Sequence, residues 1–349
     1  MNHQTTIKIL DCTLRDGGHV NNFVFGKRQI RTIVECLCRA RIDVIELGFL
    51  KNVVYEPDKS LFSTVEQAEI LLEGLPKDQN YSLMIRPDWY DISQLKPRAG
   101  RISKIRWAFH ARDLSLALSQ ARHARALGYQ IYLNPVNVFS YSESSLRDML
   151  LALNELEPDN VAIVDTHGSM VEKDLVIYHE VFNGLLKPGI DLSVHLHENL
   201  SLSFSLAQKF IELNNGKRSS GIDASVLGMG RIPGNLCTEL IARYVNTYYS
   251  GYYDIPAIYD AIQDSVADIK RKLPWGYAAL YAETAFLKVH RSYAEYLIER
   301  TDLSVAESAE ILAQIATPND REEYNQVLVE GLVARLRSTK TGYSNDRIH

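Results

Sequence analysis

The stretch Val194-His195-Leu196-His197-Glu198-Asn199-Leu200 places two histidines one residue apart in a short, partly apolar run. On an extended strand, alternate side chains project from the same face, so both imidazoles would point in one direction. A second stretch, Asp11-Cys12-Thr13-Leu14-Arg15-Asp16-Gly17-Gly18-His19, follows an apolar segment and contains an arginine, carboxylates and a histidine. If the fold brings both stretches together, Asp16, His195 and His197 form a metal site of two histidines and one carboxylate.

Outward from these stretches, apolar strand-like segments alternate with segments of helical periodicity. We count about eight alternations, the number that a (β/α)8 TIM barrel, an α/β fold, requires. A doubly wound sheet is the competing architecture, but no strand is followed by a GxGxxG loop that opens a helix. The third unit, around residues 81–104, is the weakest because Pro87 and Pro97 interrupt its helix.

After Tyr253 only helical patterns follow. The predicted organisation is therefore a TIM-barrel catalytic domain over residues 1–252, an all-helical C-terminal domain over 253–337 and a frayed tail over 338–349.

The composition argues against several function classes. The 349 residues are 46% hydrophobic and 23% charged, as in a globular protein, and the net charge of −5 gives no reason to expect nucleic acid or an anionic membrane as partner. No apolar run approaches the ~20 residues of a membrane span, and no secretory signal is visible. The four cysteines lack metal-finger spacing, so we expect reduced, mostly buried thiols in a cytoplasmic protein.

Polar residues stand at nearly every predicted strand end, where the active site of a TIM barrel lies. They are Asp11, Arg15, Asp16, His19, Glu46, Arg86, His110, Asn134, Asp165, Thr166, His195, His197, Arg231 and Asn235. This convergence, rather than any single residue, predicts a catalytic site at one mouth of the barrel.

The metal-ligand interpretation has structural alternatives. His195 and His197 could be two hydrogen-bonded histidines at a strand end, but their position opposite Asp16 favours a divalent cation. Two imidazoles and one carboxylate leave coordination positions open for substrate. Asn235 is either the N-cap of the following helix or a fourth ligand.

Two further side chains fit catalytic roles beside such a metal. Arg15 could simply neutralise Asp16, but its fixed donor fork is suited to stabilising an enolate oxygen. His19 alone would be an exposed loop histidine, whereas in a metal pocket its near-neutral pKa makes it the best available general base.

Three motifs together resemble the DRE-TIM metallolyase superfamily of TIM barrels, which includes HMG-CoA lyase and isopropylmalate synthase. They are Asp11-Cys-Thr-Leu-Arg-Asp-Gly17, His195-Leu-His197 and Gly228-Met-Gly-Arg-Ile-Pro-Gly-Asn235. Within it the chain most resembles the 4-hydroxy-2-oxovalerate aldolases, since Gly18-His19 stands where the acyl-CoA condensing branch usually has Glu-Gln.

The resemblance implies a divalent-metal-dependent class II pyruvate aldolase that reversibly cleaves a 4-hydroxy-2-oxoacid to pyruvate and an aldehyde through a metal-bound enolate. The metal would usually be Mn²⁺, with Mg²⁺, Co²⁺ or Zn²⁺ as alternatives. The implied metal ligands are Asp16, His195, His197 and, as a fourth candidate, Asn235. The implied catalytic residues are Arg15 on the enolate, His19 as base and Tyr277 as proton relay. The implied substrate-binding residues are Arg15, Asp165, Thr166 and Tyr281.

Several alternatives stay open. Glu198 stands where those aldolases tend to have a second histidine, which leaves the aldehyde undefined. An acyl-CoA Claisen-type enzyme or lyase of the same superfamily, and a non-catalytic barrel serving as an assembly or regulatory subunit, are the competing functions. The expected partners are a small 2-oxoacid and an aldehyde, without nucleic acid or membrane. A homo-oligomer and an aldehyde dehydrogenase on the helical tail are compatible with the resemblance.

Overall fold

The computed structural model describes residues 6–345. Its centre is a closed barrel in which each strand pairs in parallel with the next and the last pairs with the first. The strands are β1 (Ile7–Asp11), β2 (Val44–Leu50), β3 (Asn80–Ile85), β4 (Ile102–Phe109), β5 (Gln130–Pro135), β6 (Asn160–Val164), β7 (Asp191–His195) and β8 (Ser220–Ala224). A two-residue strand, Leu61–Phe62, extends the sheet beside the end of β2. The predicted TIM barrel is confirmed.

Apolar strands produce this closure because helices cover their outer faces. In β2 every residue from Val44 to Leu50 is buried. The helices of the barrel are α1 (Lys27–Arg39), α2 (Val65–Glu69), α3 (Leu114–Ala126), α4 (Glu143–Leu156), α5 (Glu172–Leu185), α6 (Ser203–Asn214) and α7 (Thr238–Tyr248). In the third unit, where two prolines interrupt the pattern, a 3-10 turn at Ile92–Gln94 stands in place of an α-helix.

The C-terminal helices divide between two hydrophobic cores. They are α8 (Ile255–Ala261), α9 (Ala267–Lys272), α10 (Ala279–Leu287), α11 (Ser292–Ile298), α12 (Val305–Ala313), α13 (Pro318–Glu322) and α14 (Gln326–Asn345). Buried residues from Ile255 to Trp275 join the barrel's core, whereas Leu280 to Val333 form a separate cluster. The change of core therefore falls between Trp275 and Leu280, later than the predicted boundary at residue 253.

The end of the chain is helical further than the sequence suggests. Helix α14 runs to Asn345, eight residues into the segment predicted to fray, and residues 346–349 lie outside the described range. All four cysteines are free, and Cys12 and Cys36 are buried. Within residues 6–345 there is no helix with the length and apolar character needed to cross a bilayer.

Candidate active site

A tight turn after β1 brings the first-strand motif over the barrel mouth. The backbone amides of Arg15 and Asp16 both donate to the carbonyl of Cys12, at 3.1 and 2.8 Å, and a 3-10 turn continues to His19. Glycine at position 18 leaves room for Phe23 at this crossing, because a Cβ there would force the ring of Phe23 to move. The turn therefore presents Arg15, Asp16 and His19 to one side of the barrel.

The predicted ligand set converges at this mouth. Asp16, His195 and His197 are all buried, and one ligand atom from each lies within 4.8 Å of the others. Nε2 of His197 is 3.7 Å from Oδ2 of Asp16, whereas its Nδ1 lies 2.8 Å from the carbonyl oxygen of Asp165. A metal-binding histidine commonly donates its second ring nitrogen to such a carbonyl. Nε2 is buried without a hydrogen-bond partner among the described residues, as a ligand atom awaiting a cation would be.

The electrostatics hold Asp16 and His195 in the protonation states that metal binding requires. Burial would raise the pKa of Asp16, but the guanidinium of Arg15 and the neighbouring His197 outweigh it and hold the pKa well below 3.8. Burial lowers the pKa of His195 below its usual value. An ionised carboxylate and a neutral imidazole at His195 are therefore present at neutral pH.

Asn235 secures Asp16 instead of capping a helix. Its Nδ2 donates to Oδ2 of Asp16 at 2.9 Å and to the carbonyl of Met229 at 3.2 Å. The N-cap of α7 is Cys237, so the expectation of an N-cap at Asn235 is wrong. The physical reason is that its amide is already engaged by Asp16 and its backbone forms a bridge to His197. Its Oδ1 is buried without a partner in the described part of the chain, so the fourth-ligand role stays a prediction.

A buried series of ion pairs holds Arg15 in place and ends at Asp223, beside His195. Arg15 donates Nη1 to Oδ1 of Asp16 at 2.6 Å and Nε to Oε2 of Glu46 at 2.7 Å. Glu46 also lies 3.1 Å from Nη1 of Arg106, whose Nη2 pairs with Asp223. These side chains are almost fully buried, and each charge is paired, which is the condition under which buried ions are tolerated.

The cavity above this cluster has a volume of about 110 Å³, room for a small organic molecule. Its wall combines aromatic and apolar side chains with cationic ones. The lining residues are Arg15, Asp16, His19, Phe49, Met84, Arg86, Trp89, Ala108, His110, Asn134, Val136, Val164, Thr166, His195, His197 and Arg231. Three arginines thus face one carboxylate.

His19 lies at this cavity with its ring fixed on two sides. Its centroid is 5.0 Å from that of Phe23 and 6.0 Å from that of Phe49, both edge-to-face. Its Nε2 is 3.4 Å from Nη2 of Arg231. Burial and the positive charge of Arg231 hold the pKa of His19 well below 6.5, so the near-neutral pKa expected from the sequence is wrong, and the ring is neutral at neutral pH.

Four of the residues to which the resemblance gives a site role do not line the cavity: Asn235, described above, and Asp165, Tyr277 and Tyr281. The carboxylate of Asp165 accepts the backbone amides of Ser169 and Met170, at 2.9 and 3.1 Å, and so closes a turn. Tyr277 is 65% exposed at the start of the tail. Tyr281 is buried in the tail's own core, with its carbonyl 3.4 Å from Nδ2 of Asn199. Thr166 does line the cavity, where its hydroxyl accepts the amide of Asn137 at 2.6 Å.

Sequence reasoning missed the charges inside the barrel. Arg106 and Asp223 lie within apolar strands rather than at their ends, and both are buried. The available signal was a single charge in the middle of an otherwise uncharged short strand, as in Gly221-Ile-Asp-Ala224. Such a residue must find a counter-ion inside the sheet or barrel.

The closed barrel carries a cluster of two histidines and one carboxylate at its mouth, as the motifs predict. No family model matches the chain. It is similar to the 4-hydroxy-2-oxovalerate aldolase of Bacillus cereus (strain ATCC 10987 / NRS 248), with 23% identity over 319 residues, 87% of this chain and 91% of the relative. The 4-hydroxy-2-oxovalerate aldolase of Roseiflexus castenholzii is 24% identical over 287 residues, 79% and 84% of the two chains.

Solved structures agree in fold. The N-terminal domain of a Bacteroides vulgatus protein matches with a TM-score of 0.72 at 21% identity, over 86% of this chain and 99% of that one. The HMG-CoA lyase of Bacillus subtilis matches with a TM-score of 0.60 at 15% identity, over 80% and 97%. The motif-based resemblance is thereby confirmed, and the chain is an enzyme whose relatives are named as aldolases.

Proposed function

We propose that this protein is a divalent-metal-dependent pyruvate aldolase, which reversibly splits a 4-hydroxy-2-oxoacid into pyruvate and an aldehyde. The observation that carries the proposal is the meeting of five side chains at one cavity: Arg15, Asp16, His19, His195 and His197. Relatives named 4-hydroxy-2-oxovalerate aldolase support the reaction type.

The residues present fit a divalent cation. Two ring nitrogens and a carboxylate oxygen suit Mn²⁺, Fe²⁺, Co²⁺ or Zn²⁺, and of these we propose Mn²⁺. The unpartnered Nε2 of His197 and the contact of its Nδ1 with a carbonyl support this assignment. When bound, the cation supplies Lewis-acid polarisation of the 2-oxo group.

Arg15 stabilises the negative charge that develops on the pyruvate half. Two of its guanidinium nitrogens are fixed by Asp16 and Glu46, so the remaining Nη2 is oriented without a further loss of side-chain entropy. A preoriented cation of this kind favours the charged enolate over the neutral ground state.

His19 moves the proton on the aldehyde half. In cleavage its neutral ring accepts the proton of the C4 hydroxyl, the C3–C4 bond breaks, and C4 becomes the aldehyde carbon while the electron pair passes to the pyruvate enolate. The enolate then takes a proton at C3 from solvent to give pyruvate. In the aldol direction the protonated ring returns that proton to the alkoxide oxygen. Phe23 and Phe49 keep the ring in one orientation for both directions.

The test is exchange of the pyruvate C3 hydrogens in deuterated solvent, because enolisation precedes every choice of aldehyde. We expect exchange with Mn²⁺, its loss with EDTA, and loss in His197→Gln. The matched control is His123→Gln, an exposed histidine on α3, which should exchange like the wild type. Exchange that is indifferent to EDTA would contradict metal dependence, and acetyl-CoA-dependent thiol release without exchange would favour the acyl-CoA alternative.

A further inference from the structure

Arg231, in the loop after β8, faces the cavity without an acidic partner. Its Nε is buried and has no hydrogen-bond partner among the described residues, and no carboxylate of those residues forms an ion pair with its guanidinium. The closest side-chain contact of its Nη2 is Nε2 of His19, at 3.4 Å. Leaving a buried charged donor unpaired is costly, so a site that retains one is built for an anion that arrives with the ligand.

The other two cavity arginines differ in this respect. The charge of Arg15 is already paired, because its Nη1 and Nε donate to Asp16 and Glu46. Arg86 lies over the ring of Trp89, 4.6 Å from its centroid, and its Nε and Nη2 donate to Oδ1 and Oδ2 of the half-exposed Asp88, both at 3.3 Å. Because both contacts are long and Asp88 is open to water, Arg86 keeps part of its charge for the cavity and can support Arg231.

A further cation holds the Arg231 loop. Arg291, from the turn between α10 and α11, donates Nη1 to the carbonyl of Ile232 at 3.4 Å and pairs with Glu295 at 2.8 Å. Burial and this neighbour lower the pKa of Arg231 to about 10, which still leaves it charged at neutral pH. The contact of Arg291 with Ile232 thus holds the loop that carries Arg231 at this edge of the cavity.

The position of Arg231 assigns it to one half of the substrate. Its guanidinium contacts His19, the group that handles the hydroxyl on the aldehyde-derived carbon, whereas the guanidinium of Arg15 contacts Asp16 on the metal side. The contact of Arg231 with Asp16 is made by its backbone amide, 3.4 Å from Oδ2. A group bound by Arg231 is therefore attached to the aldehyde, not to the pyruvate carboxylate.

We propose that the aldehyde substrate carries its own anionic group, a carboxylate or a phosphate, which Arg231 binds with the support of Arg86. This inference rests on the proposed aldolase function and narrows its substrate class to anionic aldehydes. A small uncharged aldehyde would leave Arg231 without a partner in the closed site.

The experiment measures aldol addition of pyruvate to matched pairs of aldehydes with the Mn²⁺-loaded enzyme. One pair is succinic semialdehyde and pentanal, and the other is glyceraldehyde 3-phosphate and glyceraldehyde. We expect kcat/KM for the anionic member of at least one pair to exceed that for its neutral partner by about tenfold or more, the size of one charged hydrogen bond. The pair with the larger ratio distinguishes carboxylate from phosphate.

The variants Arg231→Gln and Arg231→Lys then assign this ratio to the side chain. Arg231→Gln should abolish the preference and Arg231→Lys should retain part of it, while Arg39→Gln, an exposed arginine on α1, keeps it in full. Because enolisation is common to both members of a pair, its effect cancels in the ratio.

Three results would overturn the inference. The first is a wild-type preference for the neutral members, and the second is a ratio that Arg231→Gln leaves unchanged. The third is a loss of pyruvate C3 exchange in Arg231→Gln equal to its loss of aldol addition, which would place Arg231 on the pyruvate carboxylate. Absence of C3 exchange in the wild type is a separate outcome, which removes the aldolase function itself.

Discussion

Nδ1 of His195 lies 3.2 Å from Oδ2 of Asp223, the residue opposite it in the register of β7 and β8. Burial opposes ionisation of Asp223, but Arg106 and His195 outweigh it and lower its pKa to about 2. The ionised carboxylate thus attracts one ring nitrogen of His195, outside hydrogen-bond geometry in this structure, and leaves the other for a cation, as in carboxylate–histidine–metal sites.

Asp223→Asn should weaken metal binding by about ten- to a hundredfold, because the amide orients His195 less strongly than a carboxylate does. Titration calorimetry with Mn²⁺ measures this change, and thermal unfolding of the metal-free variant shows whether Arg106, left with Glu46 alone, still permits folding. Asp260→Asn, which removes the exposed partner of Arg39, is the control. Unchanged affinity in a folded Asp223→Asn variant would contradict a positioning role.

His19→Ala should slow retro-aldol cleavage by about 10²- to 10⁴-fold, the usual contribution of a general base. Metal content, measured by elemental analysis, should stay at the wild-type level because His19 is not among the three clustered ligands. A variant that loses its metal would show that His19 is a ligand. His123→Ala on the exposed face of α3 serves as control.

Gly18→Ala should reduce activity by about 10²-fold while the protein remains folded and metal-bound. The added Cβ meets the ring of Phe23, which must move, and His19 packs against that ring. Cleavage kinetics together with the Mn²⁺ affinity check this expectation. Wild-type kinetics in the variant would mean that Phe23 does not position His19.

The buried side chain of Lys104 should make the folded protein more stable as the pH rises above neutrality. It is 7% exposed at the N-terminal end of the barrel, and burial, with Lys8 nearby, lowers its pKa from 10.5 to about 8. Between pH 8 and pH 10.5 the unfolded chain binds more protons at Lys104 than the folded chain does, so the free energy of unfolding increases with pH. The increase is about 3 kcal/mol at most. Urea unfolding at pH 7 and pH 10 should show a rise in the wild type relative to Lys104→Met. An equal change in the wild type and in Lys104→Met would contradict this role of Lys104. The control is Lys77→Met, at an exposed site, which should behave as the wild type.

The barrel and the metal cluster were predictable because both depend on local patterns. Alternating apolar strands and helices determine the order of the units, and the closed barrel then places the end of β1 next to that of β8, with β7 beyond it. His195 ends β7, whereas Asp16 and His197 lie in the segments that follow β1 and β7 at the same mouth.

Other parts of the site depend on contacts between distant segments. The exposure of Tyr277 follows from how the tail docks, which periodicity does not encode. Cys237 caps α7 because Asn235, three residues before the helix, is drawn to Asp16 from β1's loop. Likewise, that Arg231 lacks a partner becomes visible only when all the surrounding side chains are in place.

Ile232 packs against the hydrophobic core of the barrel and against that of the tail, and it follows Arg231 directly. Recombination between relatives, in nature or in the laboratory, therefore cannot exchange the tail as an independent module. A chimera that receives a foreign tail also receives new packing around Ile232, and with it a new setting for the loop that carries Arg231. If Arg231 binds the aldehyde as proposed, a changed tail would alter the choice of substrate while the strands of the barrel stay unchanged.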